Sequence, residues 1–407
     1  MSKTQMTQGW LLMLIVSLVV RSAGNIFLPA ISYVAEDLKV DPSVATGNLS
    51  LYFFFLTISF IILGPICERY SKQALLRWSV FLCVAGCLLS AFAWNIHVLN
   101  AGRSVQAISA GLILLTSQIW IGNHSDKKNM MSRLAWFSIV VAIAPILAPL
   151  FGGYIADWLS WRYDFIFIVI LCIPIGIMTY QWQLPPEPDQ TKSSPKLSIG
   201  ASLIAYKDVL LKTPLVSLSF STHWLFWAQS ALTAFASFLF IRDFGVSAST
   251  LGVLNTIFVV GLLIGRFPTL YLQKKYSVRF VFLVNQFLVL ISAVGLSGYY
   301  WLTGTHELVE VITFITLQAV GFSGLAIISL RNCMLIGSEN KGIVSGFFNF
   351  MNQGFSLLGV FSVQILYRLG LSSVFICQLM ANVCIASTVI GTILFLKAYR
   401  AHKHILE

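Results

Sequence analysis

Residues 46–66 read TGNLSLYFFFLTISFIILGPI, a run without a charged side chain that ends just before Glu68 and Arg69. A helix needs about 20 mostly apolar residues to cross the hydrocarbon core of a bilayer, so this run predicts one membrane-spanning helix. Comparable runs lie near residues 10–34, 75–94, 98–121, 134–156, 163–182, 214–240, 250–272, 279–302, 309–331, 342–366 and 371–396. The sequence therefore predicts an all-α integral membrane protein with twelve transmembrane helices.

The composition of the 407-residue chain indicates the same class. Apolar residues make up 57% of it and charged residues only 10%, whereas about 25% of the residues in soluble globular domains are charged. This excludes a soluble or disordered protein and leaves no room for a large extramembrane domain. The net charge of +11 does not indicate nucleic-acid binding, because the basic residues are spread thinly between apolar runs.

The linker between the sixth and seventh runs divides the chain into three regions. Its first part, LPPEPDQTKSSPK at 184–196, contains four prolines and several charges and cannot continue a helix. We expect a six-helix bundle over 1–183, a cytoplasmic linker over 184–213 and a second six-helix bundle over 214–407, related by internal duplication. Within the linker, 197–212 favours a short helix along the membrane surface, and a plain turn is the alternative.

The positive charges predict the orientation. With a cytoplasmic N-terminus, most of the 26 Lys and Arg residues fall in cytoplasmic loops, among them those within 69–77, 127–133 and 266–279. Cytoplasmic loops carry the excess of Lys and Arg, and an odd number of spans would destroy this alternation. We therefore expect a multi-pass protein of the cell inner membrane with both termini in the cytoplasm.

Four short motifs suggest a family. NIFLPAI at 25–31 resembles D-x-Y-L-P-A-L, GPICERYSKQ at 64–73 resembles G-x-L-x-D-R-x-G-R-R, and RSVQ at 103–106 matches R-x-x-Q. The fifth run has the spacing G-x8-G-x3-G-P-x2-G-G with its first three glycines replaced, and it ends in Pro149, Gly152 and Gly153. Together the motifs resemble the major facilitator superfamily, in particular its twelve-span drug–proton antiporter branch of the bicyclomycin-resistance type.

This resemblance implies two pseudo-symmetric six-helix bundles, and it implies switch roles for two of the motifs. Glu68, Arg69 and Lys72 would pair with a helix end and stabilise the state open to the outside; the alternative is a topology anchor only. Pro149, Gly152 and Gly153 would form a hinge or seal, and ordinary close packing of small residues is the alternative.

Two arginines lie well inside predicted spans. A charge near the bilayer centre costs about 2.5–3.5 kcal/mol on insertion scales, so it is functional by default. At helical spacing Arg21 shares a face with Asn25, and Arg103 shares one with Gln106. The resemblance implies that the first and fourth helices line a central cavity, so these four residues are candidates for binding an anionic or zwitterionic substrate. Alternatively, both arginines pair with backbone carbonyls or polar side chains.

A proton site is harder to locate. All 15 acidic residues fall in predicted loops or at span ends, and Asn25 occupies the position where the resembled antiporters keep a titrating carboxylate. His223 is the remaining core side chain with a pKa in the neutral range, although a structural role is the alternative. Further polar or aromatic candidates for substrate contact in the second half are Trp227, Asn255, Asn349, Asn352 and Gln353, each of which could instead bond a neighbouring helix.

These features predict a secondary active transporter, not an enzyme, that exports small amphipathic or anionic organic compounds by alternating access, coupled to protons. An uptake permease, or an exporter of a carboxylate-type siderophore, is the alternative. No G-x-x-x-x-G-K-[ST] motif is present, so ATP hydrolysis within this chain is excluded. We expect no cofactor and no metal, packing roles for the seven cysteines, and a monomer whose partners are the substrate, the bilayer and a coupling ion such as the proton.

Overall fold

The computed structural model describes residues 3–185, 206–207, 213–238, 257, 260–337 and 341–406, and these ranges contain helices and turns but no strand. They group into two compact units, Met1–Ile204 with Asn340–Phe350, and Ala205–Glu339 with Met351–Glu407. The predicted surface helix at 197–212 and the candidate Asn255 lie outside the described residues, except for 206–207.

The described part of the first unit contains seven α-helices and one 3-10 turn, Leu28–Ala30. In chain order the α-helices are α1 (Lys3–Ser22), α2 (Ile31–Asp37), α3 (Pro42–Arg69), α4 (Lys72–Ala91), α5 (Ile96–Asn123), α6 (Lys127–Trp158) and α7 (Trp161–Gln181). The unit also includes the first ten residues of a later helix, which starts at Lys341.

The described part of the second unit contains α8 (Thr213–Phe238), α9 (Arg266–Leu272), α10 (Val278–Thr303) and α11 (Leu308–Ile336). Two more helices follow, α12 (Lys341–Arg368), which starts in the first unit, and α13 (Ser373–Leu406).

The short connections between helices carry the residues that end one helix and start the next. A side-chain oxygen accepts a hydrogen bond from a backbone N–H of the first turn at the start of α4, α5, α7 and α10. Ser, Thr, Asn and Asp are favoured there because they satisfy an otherwise unpaired donor. The capping residues are Ser71, Asn95, Ser160 and Ser277.

Eight helices in the described ranges are long and apolar enough to cross a membrane. α5 is the most buried of these helices. In its most apolar stretch of 18 residues, 89% of the residues are buried inside the protein, whereas the corresponding share for α7 is 33%. Large apolar side chains such as Phe54, Phe81 and Ile170 remain exposed on outer helices, as expected of a surface that faces lipid. The prediction of an all-α membrane fold is confirmed.

The first predicted span is not one continuous helix. α1 ends at Ser22, and the chain then turns through Ala23–Phe27 before the 3-10 turn. Gly24 lies where this turn touches α3, and a β-carbon on it would overlap the Tyr52 hydroxyl. The turn brings backbone carbonyls to the interior of the unit, where they need hydrogen-bond donors.

Candidate functional site

The Arg103 guanidinium donates hydrogen bonds to the backbone carbonyls of the turn after α1. Its side chain lies on α5 and is fully buried. Nη1 donates to the Ala23 carbonyl at 2.8 Å, Nη2 donates to the Gly24 carbonyl at 2.8 Å, and Nε donates to Asn48 Oδ1 at 3.2 Å. A second bond from Nη1 reaches Gln106 Oε1 at 2.8 Å. The guanidinium therefore links α3 and α5 to the turn that follows α1.

Aromatic rings and a second amide complete the surroundings of Arg103. The guanidinium carbon lies 4.9 Å from the ring centroid of Phe27 and 4.6 Å from that of Tyr52, within the range of cation–π attraction. Gln106 Nε2 donates to Ser90 Oγ at 3.3 Å on α4. Arg103 and Gln106 thus have the alternative role considered above, pairing with carbonyls and polar side chains, and we do not retain them as substrate ligands.

Arg21 has different surroundings. It lies in the last turn of α1 and is half-buried. Its Nε and Nη1 atoms are shielded from solvent and have no hydrogen-bond partner in the part of the chain that the structure describes. Asn25 turns back toward it, and Asn25 Nδ2 donates to the Arg21 backbone carbonyl at 3.2 Å. Two nitrogens of the Arg21 guanidinium thus lack an acceptor within the described residues.

Asp164 is a buried carboxyl that the sequence analysis missed. It was expected near a loop, at the start of the sixth span, but it lies in the first turn of α7 with no exposed surface. Neither of its carboxyl oxygens has a hydrogen-bond partner in the described chain. At helical spacing it shares a buried face with Trp161 and Ile168, which is the sequence signal that identifies it.

Glu310 is a second exception to the expected absence of buried acids. It lies in the first turn of α11 and is buried, and both of its carboxyl oxygens lie 3.2 Å from His306 Nδ1. The Glu307 backbone N–H donates to Glu310 Oε2 at 3.1 Å. Unlike Asp164, Glu310 thus has partners, and its position at the helix start gives it a structural role.

The predicted switch residues have different environments. The Glu68 carboxylate accepts a hydrogen bond from the Gly342 backbone N–H, in the first turn of α12. Lys341 Nζ, beside it, donates to the Gly122 carbonyl at 2.7 Å and to Asn123 Oδ1 at 2.9 Å at the end of α5. A carboxylate at a helix N-terminus interacts favourably with the helix dipole. Glu68 and Lys341 thus attach the start of α12 to α3 and α5.

Arg69 and Lys72, the two other members of that motif, do not share this contact. Arg69 is exposed. Lys72 is buried, and its Nζ donates to the Tyr70 carbonyl at 3.4 Å. Glu68 thus contacts the start of another helix.

The small residues of the fifth span contact the turn after α1. α6 continues through Pro149, and it packs so closely at Gly152 that a β-carbon there would overlap the Ile26 carbonyl oxygen. At Gly153 the nearest atom to such a carbon would be Pro29 Cβ, at 3.7 Å, an ordinary van der Waals distance. The closest approach between α6 and the turn after α1 is therefore at Gly152 rather than at Gly153.

Asn349 bonds another side chain. Asn349 Nδ2 donates to Gln118 Oε1 at 2.7 Å, and Ser345 Oγ donates to the same oxygen. This network joins the start of α12 to α5 within the first unit. The geometry thus corresponds to the helix–helix hydrogen bond that was the alternative for Asn349.

In the second unit, aromatic side chains gather around Phe355 on α12. The ring centroids of Trp224, His223 and Phe220, all on α8, lie 5.2, 5.9 and 6.0 Å from that of Phe355. We call these four residues the Phe355 cluster. His223 is fully buried, and its Nδ1 contacts the Ser219 backbone carbonyl, so the protein itself satisfies this ring nitrogen.

Three other candidates lie near the Phe355 cluster along α8 and α12. Trp227 Nε1 donates to Ser362 Oγ at 3.1 Å. Asn352, one helical turn before Phe355, has a buried Oδ1 without a hydrogen-bond partner in the described ranges. Gln353 is half-buried. Phe355 was not a candidate from the sequence, because its neighbours on α8 lie more than 100 positions earlier in the chain.

Comparison with known proteins agrees with this fold. A family model described as Major Facilitator Superfamily matches residues 13–360. Multidrug resistance protein D of Escherichia coli is 22% identical over 46% of this chain and 48% of its own length. The bicyclomycin resistance protein homolog of Haemophilus influenzae is 20% identical over 60% of this chain and 61% of its own. The chain thus spans about half to three fifths of the length of these two relatives.

Two solved structures share the fold over nearly the whole chain. A bacterial homologue of the iron transporter ferroportin, in an outward-facing state, has a TM-score of 0.73 and 13% identity over 96% of this chain and 99% of that chain. The human organic anion transporter MFSD10 has a TM-score of 0.73 and 13% identity over 95% and 99%. The predicted family and the predicted fold class are confirmed.

Proposed function

Because the chain belongs to the Major Facilitator Superfamily, we propose that it is a secondary active transporter that exports small amphipathic organic anions in exchange for protons. The surroundings of the Arg21 guanidinium are the main support for an anionic substrate. Two of its guanidinium nitrogens are buried and lack hydrogen-bond partners among the described residues, and a buried donor without an acceptor costs about 1–3 kcal/mol. A carboxylate or sulfonate on a substrate would supply the missing acceptors, and guanidinium groups pair with such anions in a bidentate manner.

The Phe355 cluster supports the amphipathic part of the proposal. Aromatic rings with a few polar atoms are typical of small-molecule sites, and Asn352 Oδ1 is a buried acceptor without a partner in the described chain. We propose Arg21 and Asn25 as substrate contacts within the first unit. Within the second unit, taken by itself, we propose Asn352, Gln353, Trp227 and the cluster as substrate contacts. Similarity to Multidrug resistance protein D and to a bicyclomycin resistance protein homolog supports a drug-like organic compound as the exported substrate.

The contact between Glu68 and α12 is the proposed conformational switch. Its hydrogen bond to Gly342 N–H can form only while the start of α12 lies against α3, so it stabilises the conformation that contains it. Pro149, Gly152 and Gly153 belong to this proposal as the seam along which α6 meets the turn after α1. The distribution of Lys and Arg supports insertion in the inner membrane with cytoplasmic termini.

Transport of two related dyes tests the proposed substrate class. We would reconstitute the protein in liposomes and measure the uptake of sulforhodamine B, an organic anion, and of rhodamine 6G, an organic cation with the same aromatic core. With a pH gradient imposed, wild type should accumulate sulforhodamine B by proton antiport. Arg21→Gln should reduce that transport by about 10-fold or more, since a hydrogen bond to a charged group contributes about 1.5–3 kcal/mol.

Two further variants control this experiment. Arg21→Lys keeps the charge but not the bidentate geometry, so it should fall between wild type and Arg21→Gln. Arg400→Gln removes an exposed positive charge from α13 and should transport normally. Undiminished uptake of sulforhodamine B by Arg21→Gln, or preference of wild type for the cation, would contradict the proposal. If protons and sulforhodamine B moved across the membrane in the same direction, the result would indicate the uptake permease.

A further inference from the structure

Asp164 has the surroundings of a group that exchanges a proton. Its side chain has no exposed surface, and neither carboxyl oxygen has a hydrogen-bond partner in the described residues. Transfer of an ionised carboxylate from water into such a site costs far more than transfer of the neutral acid. The state with a bound proton therefore fits the environment that the structure shows.

The charged state has support close by. Asp164 lies in the first turn of α7, where the helix dipole favours a negative charge. Phe165, the next residue, stacks on Phe27 with ring centroids 6.0 Å apart, and the Arg103 guanidinium carbon lies 4.9 Å from the Phe27 centroid. One aromatic pair thus separates the segment that carries Asp164 from the buried guanidinium.

Asp164 forms no ion pair with the titratable groups of the described helices that pack against it. α1, α4 and α6 pack against α7, and no group on them or on α7 bonds either carboxyl oxygen within the described part of the chain. Arg162, on α7 itself, pairs with Asp37. The titratable or charged groups on these elements toward the Asp164 end are Arg21, Cys83, Cys87, Tyr154, Asp157, Arg162, Tyr163 and Cys172.

We propose that Asp164 is the proton-binding group of this transporter and that Arg103 responds to its charge. This inference rests on the proposed function, because it assigns the coupling site of that proton exchange. When the carboxyl releases its proton to solution, the resulting carboxylate attracts the Arg103 guanidinium. Arg103 then loses its hydrogen bonds to the Ala23 and Gly24 carbonyls, which hold the turn two residues after Arg21. Rebinding of one proton neutralises the carboxylate and restores those bonds.

The coupling follows from this geometry. The turn at Ala23–Phe27 connects directly to the last turn of α1, which carries Arg21. A change in the bonds of Arg103 therefore changes the position of the proposed anion-binding group. By reciprocity, an anion bound at Arg21 must alter the proton affinity of Asp164 by the same free energy.

The experiment separates coupled from uncoupled transport of sulforhodamine B in liposomes. Asp164→Asn cannot exchange a proton, so it should lose accumulation driven by a pH gradient and keep dye-for-dye counterflow at equal pH. Asp157→Asn, the same substitution at an exposed carboxyl of α6, should keep both. Infrared difference spectra between acidic and alkaline buffer should contain a protonated-carboxyl band in wild type that is missing in Asp164→Asn.

Each outcome identifies what fails. Accumulation driven by the pH gradient in Asp164→Asn, with the infrared band retained, would overturn the role of Asp164 and leave the proposed function intact. Absence of sulforhodamine B transport in wild type would instead overturn the proposed function. If Asp164→Asn does not fold, Asp164→Glu keeps a proton-binding group and should shift the pH profile of accumulation; an unshifted profile would overturn the inference.

Discussion

The surroundings of Arg103 and those of Arg21 differ although both arginines lie inside predicted spans of the same unit. Arg103 is fully buried and bonds two backbone carbonyls and two side-chain amides. Arg21 is half-buried, and two of its nitrogens have no partner in the described chain. The depth of a charge in the membrane therefore does not assign its role; the supply of acceptors around it does.

The difference has a local cause. The turn after α1 leaves the Ala23 and Gly24 carbonyls without helical partners, and Arg103 reaches both. Arg21 precedes the turn, and its own backbone carbonyl accepts from Asn25 Nδ2, whereas Nε and Nη1 of its guanidinium have no acceptor in the ranges that the structure describes. The break in the helix thus supplies acceptors to Arg103 and not to Nε and Nη1 of Arg21 within the described residues.

The largest expected effect is the loss of Arg103. Arg103→Ala leaves four buried acceptors without their donor, and we expect the free energy of unfolding to fall by about 3 kcal/mol or more. Arg103→Lys should recover only part of this, because one ammonium cannot bond acceptors on three elements. Thermal unfolding in detergent, followed by tryptophan fluorescence, measures both. A wild-type midpoint for Arg103→Ala would contradict the structural role.

Substitution of Gly152 tests the same turn from its other side. Gly152→Ala places a carbon against the Ile26 carbonyl oxygen, and displacement of the backbone should cost about 1–3 kcal/mol. Gly153→Ala is the matched control, because its added carbon meets Pro29 at 3.7 Å and should leave the unfolding midpoint nearly unchanged. Equal effects of the two substitutions would show that the close approach at Gly152 is unimportant.

Arg162 is a third arginine of the same unit, and unlike Arg103 it forms an ion pair near the protein surface. Arg162 pairs with Asp37, with 31% and 46% of the two side chains exposed, and this pairing lowers the pKa of Asp37. The lowered pKa means that the pair stabilises the fold above the unfolded pKa of about 3.9, and that this stabilisation is lost as the pH falls through the folded pKa.

The pH dependence of unfolding checks this pair. Because both side chains are partly exposed, we expect about 1 kcal/mol or less. The difference in unfolding midpoint between wild type and Asp37→Asn should be present near neutral pH and disappear in strong acid. Glu36→Gln, which removes an exposed neighbouring charge, should show little change at any pH. A constant difference down to the lowest pH would refute the ion pair.

The smallest expected effect on stability is that of Arg21. Arg21→Gln removes no hydrogen bond of the guanidinium that the structure shows, so its free energy of unfolding should fall by no more than about 0.5 kcal/mol, although its transport should fall. Unfolding curves recorded in parallel for Arg21→Gln and Arg103→Ala compare the loss of stability in the two variants directly. A loss of stability in Arg21→Gln as large as that in Arg103→Ala would remove the distinction between the two.

The fold was predictable because the bilayer imposes it. Runs of about 20 apolar residues and the alternation of basic loops depend only on local composition, and ten of the twelve predicted runs coincide with long helices in the described part of the chain. Of the other two, the first is interrupted, and 250–272 is described only in part. The interruption of the first run at Ser22 was not predicted. The Ala23 and Gly24 carbonyls in this interruption accept hydrogen bonds from Arg103, which lies 80 and 79 positions away, so no local pattern indicates the contact.

The candidate site was predictable only in part, for a similar physical reason. Arg21 and Arg103 were found because an intramembrane charge is costly, but their opposite surroundings depend on tertiary contacts. Asp164 was missed because its position at the end of a span suggested exposure, whereas its face of α7 is buried. Phe355 was missed because a cluster of rings from two helices far apart in sequence has no local pattern.

The seven cysteines of the chain are all unpaired and buried. A thiol-reactive reagent applied to the folded protein therefore has no native target at the surface. A single cysteine introduced at a lipid-facing or loop position would be the one site that reacts, without removal of any natural cysteine. Site-directed labelling could then follow individual helices through the transport cycle in an otherwise unaltered chain.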